Sequence, residues 1–334
     1  MKTGEQPPAT IGPSGFGAVA ARAREAARSG RLIPPRLVPF LALIIVSAFF
    51  WVTAGDRFMS IDNGSFLLQQ SAIIAIPAFG VTMVIISGSI DLSVGSLVAL
   101  TGMVAAVVSV DHGPVVGLLA GVAVGVAAGV LNGIGLAVLK VPSFMVTLGM
   151  LSVGRGLTII VSQSQPVDVA RGFQAVGHPP GLFILFALCF AGAWVLLNYT
   201  SFGRRAVAIG GNERVARLSG VPVGREKILL FMFSGLMAGL GGIALTARTG
   251  AATPTAAMGF ELTAIAAVVL GGTPLTGGVG SMLNTVIGAF ILSILLNGMI
   301  ILGIPSEIQL VVQGLVLIGA VLLSLERSKI GIIK

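Results

Sequence analysis

The chain of 334 residues is 55% hydrophobic and only 10% charged, and its mean hydropathy is +1.02. Soluble domains carry about 25% charged residues, so this composition cannot build a water-facing shell and most of the surface must face lipid. The formal net charge of +8 does not indicate nucleic-acid binding, because the basic residues lie in short segments between apolar runs and form no basic face.

The first 36 residues are polar and basic, with five arginines between Arg22 and Arg36. They contain no early apolar core of the kind that a cleavable signal peptide needs. We therefore expect residues 1–36 to form a cytoplasmic tail that touches anionic lipid. The single cysteine, Cys189, and two histidines exclude an intramolecular disulfide and a zinc site, so no metal or cofactor is predicted.

Ten apolar runs follow, and most are close to the length of about 20 residues that spans a bilayer as a helix. The sequence therefore predicts an all-α integral membrane protein with a transmembrane domain at 37–325 and a carboxy-terminal tail at 326–334. The predicted spans are 37–54, 66–87, 93–110, 115–139, 144–161, 181–198, 228–247, 258–272, 282–303 and 307–325.

The distribution of basic residues orients these spans. With the amino terminus in the cytoplasm, 16 of the 20 Lys and Arg residues fall on that side, including six in the loop 199–227. Only Arg57, Arg171 and Arg248 fall in outer loops. Cytoplasmic loops of membrane proteins carry an excess of Lys and Arg, so this split supports ten spans with both termini cytoplasmic.

The fourth span carries glycine at every fourth position. This spacing places the glycines on one helix face, and such a flat face lets another helix approach closely within the bilayer. The pattern predicts close packing inside the chain or, as the alternative, a contact between two copies. The glycines are Gly117, Gly121, Gly125, Gly129 and Gly133.

Two stretches rich in Gly, Ser and Thr, residues 87–96 and 271–281, interrupt apolar segments, and each joins a pair of spans. In carriers, Gly-interrupted segments in corresponding positions of two halves point to the transport path. The tripeptide Leu-Asn-Gly also occurs twice, at 131–133 and 296–298. These echoes suggest an internal repeat, although the helices between the matched pieces do not correspond in number.

Asp91 and Glu261 are the most informative acidic residues. A carboxylate within the bilayer costs a few kcal/mol unless it faces water or a partner. Asp91 either caps the third helix, with Ser93 as the alternative cap, or acts at an inner gate. Glu261 opens the eighth span, where it either caps the helix or contacts a substrate. Asn132 and Asn297 lie inside spans, where they suit interhelical hydrogen bonds or the hydroxyl groups of a sugar.

The energy source is not encoded in the chain itself. No Lys follows a Gly, so the P-loop pattern GxxxxGK[ST] is absent. Ion-coupled carriers place ionisable residues in mid-membrane, but between 115 and 325 only Arg155 and Glu261 lie near spans, both close to span ends. One cysteine and two histidines also provide no paired groups for an intramembrane enzyme. A separate energising protein is favoured over both alternatives.

The loop 199–227 carries the signals of a short cytoplasmic helix. Its residues provide an amino-terminal cap, an acidic first turn, a basic last turn and a glycine stop. These residues are Asn212, Glu213, Arg217 and Gly220. With Val215 and Leu218 on one face, the helix would dock on another protein.

Four pieces of the sequence resemble the ribose-type ABC permeases, the monosaccharide branch of a superfamily that also contains branched-chain amino-acid permeases. The resemblance covers about residues 40–325. The pieces are Gly88-x-Ile90-Asp91-Leu92-Ser93-Val94-Gly95-Ser96, Pro142-Ser143-Phe144-x-Val146-Thr147-Leu148-Gly149, Ala208-x-Gly210-x-Asn212-x-x-Ala216-x-x-x-Gly220-Val221 and Ala266-Ala267-Val268-Val269-Leu270-Gly271-Gly272-Thr273.

The resemblance implies a permease subunit of an ABC importer in the bacterial inner membrane, carrying ribose, another pentose, a hexose or a polyol. A permease for nucleosides or branched-chain amino acids is the alternative. The implied partners are an ABC ATP-binding subunit at the cytoplasmic face, a periplasmic sugar-binding protein and a second permease subunit, by default a second copy of the chain. The sequence does not identify the sugar.

By the same resemblance, one segment receives the motion of the ATPase and the interrupted helices form a gate. The predicted coupling residues are Gly210, Gly211, Asn212, Glu213, Arg214, Ala216, Arg217 and Gly220. The candidates for the gate and translocation path are Ser89, Asp91, Ser93, Asn132, Phe144, Thr147, Glu261, Thr273 and Asn297.

Overall fold

The computed structural model of the protein describes residues 37–324, and side chains are described for 37–322. The predicted tails at 1–36 and 326–334 lie outside the described residues. Within the described part the fold is built from helices, as predicted for an all-α membrane protein. A pair of two-residue strands, β1 (Val167–Asp168) and β2 (Ala251–Ala252), runs antiparallel with Val167 opposite Ala252.

Twelve α-helices occur between residues 37 and 324, with short 3₁₀ turns at Gly55–Arg57 and Phe173–Val176. The helices are α1 (Val38–Ala54), α2 (Ile61–Ile86), α3 (Val94–His112), α4 (Pro114–Ala137), α5 (Ser143–Ser162), α6 (Gly181–Tyr199), α7 (Ser201–Gly211), α8 (Glu213–Leu218), α9 (Val223–Thr249), α10 (Phe260–Leu270), α11 (Met282–Ile301) and α12 (Ser306–Ser324).

Among the described residues, seven helices are long and apolar enough to cross a membrane: α2 to α6, α9 and α11. Helices α1 and α10 are apolar but shorter, and so is Ser306–Leu322, the part of α12 whose side chains are described. Each of the ten predicted spans overlaps one of these ten helices, which confirms an all-α membrane protein. The count of ten spans and the cytoplasmic position of both termini stay predictions.

Helix α2 lies at the centre of the fold. All of its residues from Ser71 to Ile86 are buried, because apolar side chains occupy every side of this part of the helix and other helices cover them. Pro77 interrupts the hydrogen-bond ladder of α2, and its ring packs on α9 at Gly241. A Cβ added to Gly241 would lie 2.2 Å from Pro77 Cγ, so this close approach needs glycine.

The glycine ladder of α4 packs against two helices of the same chain. It faces α3 through Gly117 and Gly121, and α9 through Gly125, Gly129 and Gly133. A Cβ added to Gly125 would lie 2.4 Å from the Gly235 carbonyl oxygen, and one on Gly129 would lie 2.3 Å from that of Phe231. All five ladder glycines are buried, so the ladder is not free to contact a second copy.

Helix α10 is too short to cross the bilayer. Its 11 residues extend about 16 Å, roughly half of the hydrocarbon thickness of a membrane. Its first turn lies on the first turn of α3, where a Cβ added to Gly95 would lie 2.9 Å from the Glu261 backbone nitrogen. The connection 253–259 therefore enters the helical domain, and the eighth predicted span, 258–272, holds only a half-length helix.

The interpretation of 199–227 as a loop with one short helix is incomplete, because α7 precedes that helix. Thr200 caps α7 by accepting a hydrogen bond from Gly203 N at 3.3 Å. The buried face of α7 consists of Gly203, Ala206 and Ile209. Two of these three residues are small, so this face gives little hydrophobic signal in the sequence.

We expect a large side chain at Gly129 to separate α4 from α9. The substitution Gly129→Leu should destabilise the protein by about 1–3 kcal/mol or more, the usual cost of overpacking a close contact. The matched control is Gly192→Leu in α6, where an added Cβ meets nothing within 4 Å. Thermal unfolding in detergent measures both, and equal melting temperatures would contradict the packing described for α4.

Candidate gate and coupling segment

Three glycine-containing segments meet at the carboxy-terminal end of α2. The Ile86 carbonyl accepts a hydrogen bond from Gly278 N at 2.8 Å. A Cβ added to Gly277 would lie 2.9 Å from Gly88 Cα, and one added to Gly210 would lie 1.8 Å from the Ile86 carbonyl oxygen. The two Gly-rich stretches predicted from the sequence therefore contact each other, and the end of α7 lies on both.

Glycine is required at these positions for two different reasons. Gly277 and Gly278 have φ values of +79° and +80°, a region that residues with a side chain rarely adopt. Gly210 is helical, but backbone atoms fill the space that a Cβ would need. At the adjacent Gly211, an added Cβ would meet nothing within 4 Å. The close approach therefore depends on Gly210 and not on its neighbour.

Helix α8 has the amino-terminal cap that the sequence predicts. Asn212 Oδ1 accepts a hydrogen bond from Val215 N at 3.0 Å. In the first turn, the Glu213 carboxylate accepts hydrogen bonds from Lys227 Nζ at 2.6 Å and from Arg217 at 2.8 Å. The Lys227 hydrogen bond, with the smaller contribution of Arg217, holds the pKa of Glu213 below its ordinary value.

The outer face of α8 carries apolar side chains that the described chain does not cover. Val215 is 56% exposed and Leu218 is 82% exposed, whereas Ala216 faces inward and is buried. Arg214 is also exposed. The chain turns away after the helix at Gly220, whose φ is +82°. A six-residue helix that exposes its apolar side chains among charged residues suits docking on a protein.

Two adjacent residues of α9 hold this segment. Glu226, only 2% exposed, forms a salt bridge of 2.6 Å with Arg205 of α7. The next residue, Lys227, forms a salt bridge of 2.6 Å with Glu213 of α8. Helices α7 and α8 are therefore both tied to the first turn of α9, and we call residues 201–220 the coupling segment.

Asp91 lies in the connection between α2 and α3 and is 1% exposed. Its Oδ1 accepts hydrogen bonds from Ser93 N at 3.0 Å and Ser93 Oγ at 2.6 Å. Its Oδ2 accepts one from Ser234 Oγ of α9 at 2.7 Å. No salt bridge within residues 37–322 reaches Asp91. Since a buried carboxylate is costly without hydrogen bonds, these contacts hold the connection against α9.

The same connection is also bonded to α4 and α5. Asn132 Nδ2 donates to Ser93 Oγ at 2.9 Å, and Ile90 N donates to Ser143 Oγ at 3.2 Å. Thr147 Oγ1 lies 3.4 Å from the Ile90 carbonyl oxygen. Residues 87–93, which we call the gate loop, thus contact α4, α5, α9 and, at Gly210, the coupling segment.

Neither Asp91 nor Glu261 occupies a helix-cap position, and the alternative cap of α3, Ser93, does. Ser93 occupies the cap position of α3 but makes no side-chain cap hydrogen bond, because its hydroxyl donates to Asp91. Gly259 occupies the cap position of α10. Glu261 lies in the first turn, with Oε2 buried against Gly95 and without a hydrogen-bond partner in the described residues.

The remaining predicted path residues do not all join the gate loop. Ser89 is part of it and is buried, and Thr273 is buried in the second Gly-rich stretch. Phe144 is largely exposed in the first turn of α5. Asn297 donates a hydrogen bond to Asn63 Oδ1 at 2.6 Å, at the opposite end of α2 from the gate loop. Asn297 therefore lies outside the cluster.

Three residues of this region were not identified as candidates from the sequence. Ser143 lies within the Pro-Ser-Phe piece, which could have indicated it, whereas Ser234 had no signal. Arg155 was placed near a span end, but it lies seven residues before the end of α5. Its guanidinium donates to the carbonyl oxygens of Ala256 and Ala257, each at 2.5 Å.

A groove of about 660 Å³ lies beside the coupling segment, between the end of α4 and the start of α9. Its charged lining residues are Lys140, Glu213, Arg217, Arg225 and Lys227. Four of these five are basic, so the groove suits an anionic partner surface. Within the described residues, no group of three His, Cys, Asp or Glu side chains could hold a metal ion.

Comparison with known families identifies the chain. The family model described as branched-chain amino acid transport system / permease component matches residues 63–321. The chain belongs to this permease family. The match covers the gate loop, the coupling segment and both Gly-rich stretches. No solved structure matches the chain significantly.

Relatives of the chain include sugar transport proteins. The chain is 41% identical to the ribose import permease protein of Escherichia coli K12, over 86% of this chain and 91% of that protein. It is 43% identical to the ribose import permease protein of Bacillus subtilis 168, over 88% and 94%. It is 38% identical to the L-arabinose transport system permease protein of E. coli K12, over 88% and 90%.

These relatives are transport permeases and not enzymes. With the apolar helices described above, they identify the chain as a multi-pass protein of the inner membrane.

The substitution Gly210→Ala should disturb the contact between the coupling segment and the gate loop. Its Cβ would displace α7 from the Ile86 carbonyl, so we expect a destabilisation of about 1–3 kcal/mol and a loss of solute uptake. Gly211→Ala should change neither property. The two variants are compared by melting temperature and by uptake in whole cells, and equal behaviour would contradict the described contact.

The substitution Asp91→Asn should reduce transport while the protein remains in the membrane. An amide matches the shape of the carboxylate but loses its negative charge and one acceptor oxygen. Ser234→Ala is the companion variant, because it leaves Asp91 Oδ2 without its donor at a cost of about 1–3 kcal/mol. Immunoblotting of membranes and uptake measure both. If membrane abundance falls in parallel with uptake, Asp91 has only a structural role.

Proposed function

We propose that this chain is the membrane-spanning subunit of an ABC importer that moves a monosaccharide across the inner membrane, driven by a separate ATPase. The observation that carries this proposal is the coupling segment. The apolar side chains of Val215 and Leu218 are exposed on its outer face, and Gly210 contacts the gate loop on its inner face. A segment built in this way suits the transfer of motion from a docked protein to a gate.

The proposed substrate class follows from the relatives, which are named as permeases for ribose and L-arabinose. Both are neutral pentoses, so a pentose is the first candidate. The description of the family also names branched-chain amino acids. Branched-chain amino acids are therefore the alternative substrates, together with nucleosides. An ion-coupled carrier is a weaker alternative for the transport mechanism.

The proposed topology has ten spans with both termini in the cytoplasm. Under this topology the coupling segment lies on the cytoplasmic side, where an ATPase has access to ATP. The six basic residues of 199–227 support this side, because cytoplasmic loops are rich in Lys and Arg. Residues 1–36 and 326–334 are then cytoplasmic tails, and 37–325 is the transmembrane domain.

The proposed assembly contains an ATP-binding subunit at the coupling segment, a periplasmic sugar-binding protein and a second permease subunit. A second copy of this chain is the default for that subunit, since most oligomers are symmetric. In this assembly the gate loop and the second Gly-rich stretch form the inner gate. The contact of both with Gly210 supports this role.

The proposal is tested by purifying the chain from its native membranes in mild detergent, with mass spectrometry and an ATPase assay on the product. We expect a co-purified subunit with a P-loop and sugar-stimulated ATPase activity after reconstitution with the binding protein. A chain that purifies alone and transports solute with an ion gradient would overturn the proposal.

The docking role of α8 leads to a specific variant, Leu218→Glu. Because Leu218 is 82% exposed, the charge should leave folding intact and weaken binding of the ATPase. We expect an unchanged melting temperature of the permease with loss of the co-purified ATPase. The control is Leu188→Glu in α6, an exposed position outside the coupling segment, which should retain any ATPase in the fraction that inserts. Retention of the ATPase by Leu218→Glu would rule out docking at this face.

A further inference from the structure

Arg155 is the charged residue that lies deepest within the apolar helices of the described chain. It has 12 helix residues before it and seven after it in α5, and it is partly exposed on the surface of the protomer. An arginine at the centre of a membrane helix costs about 2.5–3.5 kcal/mol on insertion scales when lipid surrounds it. This side of α5 therefore requires water or a polar partner.

The surface of α5 divides into three sides, as expected from helical spacing. One side is buried on neighbouring helices and consists of Thr147, Gly154, Thr158 and Ser162. A second side is exposed and wholly apolar, with Val153, Leu157 and Ile160. The third side, which we call the polar edge, is formed by Leu148, Ser152, Arg155 and Ile159. The apolar side suits lipid, whereas the polar edge contains a charge and a hydroxyl.

Arg155 is held in a fixed position. Its guanidinium donates to the carbonyl oxygens of Ala256 and Ala257, in the connection that leads into α10. A guanidinium has five N–H donors, so donors remain for a ligand. The backbone of Ala257 has a φ of +52°, a conformation unusual for alanine.

Glu261 supplies an acceptor near the same position. The side chain is partly exposed, and a Cβ added to Gly95 would lie 2.0 Å from Glu261 Oε2 and 3.2 Å from the carbonyl oxygen of Ala257, to which Arg155 donates. However, no salt bridge within residues 37–322 joins the two side chains. Because the two side chains are not paired with each other, Arg155 can donate to, and Glu261 can accept from, a group that both accepts and donates hydrogen bonds. A sugar hydroxyl is such a group.

We propose that Arg155 and Glu261 form a subsite that binds the hydroxyl groups of a neutral sugar, and that the polar edge of α5 faces the aqueous path through which the sugar passes. This inference rests on the proposed function and adds the residues that contact the substrate. A zwitterionic amino acid would also satisfy two opposite charges. The sugar is favoured because the relatives are pentose permeases and because two backbone carbonyls already share the positive charge of Arg155.

The first test maps which side of α5 meets water. In a Cys189→Ala background, single cysteines are introduced by Ser152→Cys and Ile159→Cys on the polar edge, and by Val153→Cys and Leu157→Cys on the apolar side. The complete transporter in lipid nanodiscs is treated with a water-soluble thiosulfonate reagent. We expect rapid reaction at 152 and 159 only, because a thiol in lipid is not ionised. Equal reaction rates on both sides would overturn the aqueous path along α5.

The second test concerns hydroxyl recognition in the reconstituted transporter. Arg155→Lys and Glu261→Gln are compared with wild type for uptake of ribose, L-arabinose and 2-deoxyribose. Removing one hydrogen bond to a charged group should reduce uptake of the sugar that uses it by about tenfold. We expect the uptake of 2-deoxyribose to fall less than that of ribose, because 2-deoxyribose lacks one of the hydroxyl groups that the subsite binds. A merely structural role of Arg155 and Glu261 would reduce uptake of all three sugars in proportion.

The outcomes separate the two proposals. If wild type transports a sugar but the variants lose all sugars equally, the subsite is wrong and the proposed function stands. If wild type transports leucine and neither pentose, the sugar importer itself is wrong, and the subsite fails with it.

Discussion

The carbonyl group of Ile86 is the point on which the contact between the gate loop, the second Gly-rich stretch and the coupling segment depends. This carbonyl group belongs to the last residue of α2 and accepts a hydrogen bond from Gly278 N. Gly210 of the coupling segment packs directly against it. Backbones approach this closely only where side chains are absent. The three segments therefore need glycine where they meet, at Gly277 and Gly278 because of their positive φ and at Gly210 because backbone atoms fill the space of a side chain.

A second connection between the coupling segment and the gate loop passes through α9. The first turn of α9 holds α7 and α8 through Glu226 and Lys227, and the middle of the same helix donates Ser234 to Asp91. A helix transmits displacement along its axis as a rigid element. The gate loop is thus linked to the coupling segment both directly, at Gly210, and through α9.

Local signals in the sequence predicted the features that depend on neighbouring residues. The apolar runs gave ten helices at the expected places, and Asn212 caps α8 as its position indicates. Long-range pairing was not predictable in the same way. The repeated Leu-Asn-Gly tripeptide illustrates the limit, because Asn132 bonds to Ser93 whereas Asn297 bonds to Asn63. The same tripeptide therefore makes different contacts at its two positions in the chain.

Hydropathy and capping residues are properties of short segments, so they predict a helical membrane protein with a short helix that begins after Asn212. Three further facts come from the packing of distant segments: Asp91 is bonded to Ser234, α10 is a half-length helix that packs on α3, and Arg155 lies on a partly exposed edge. These facts depend on residues that are distant in the chain, and their positions follow from how glycine-rich helix faces pack together.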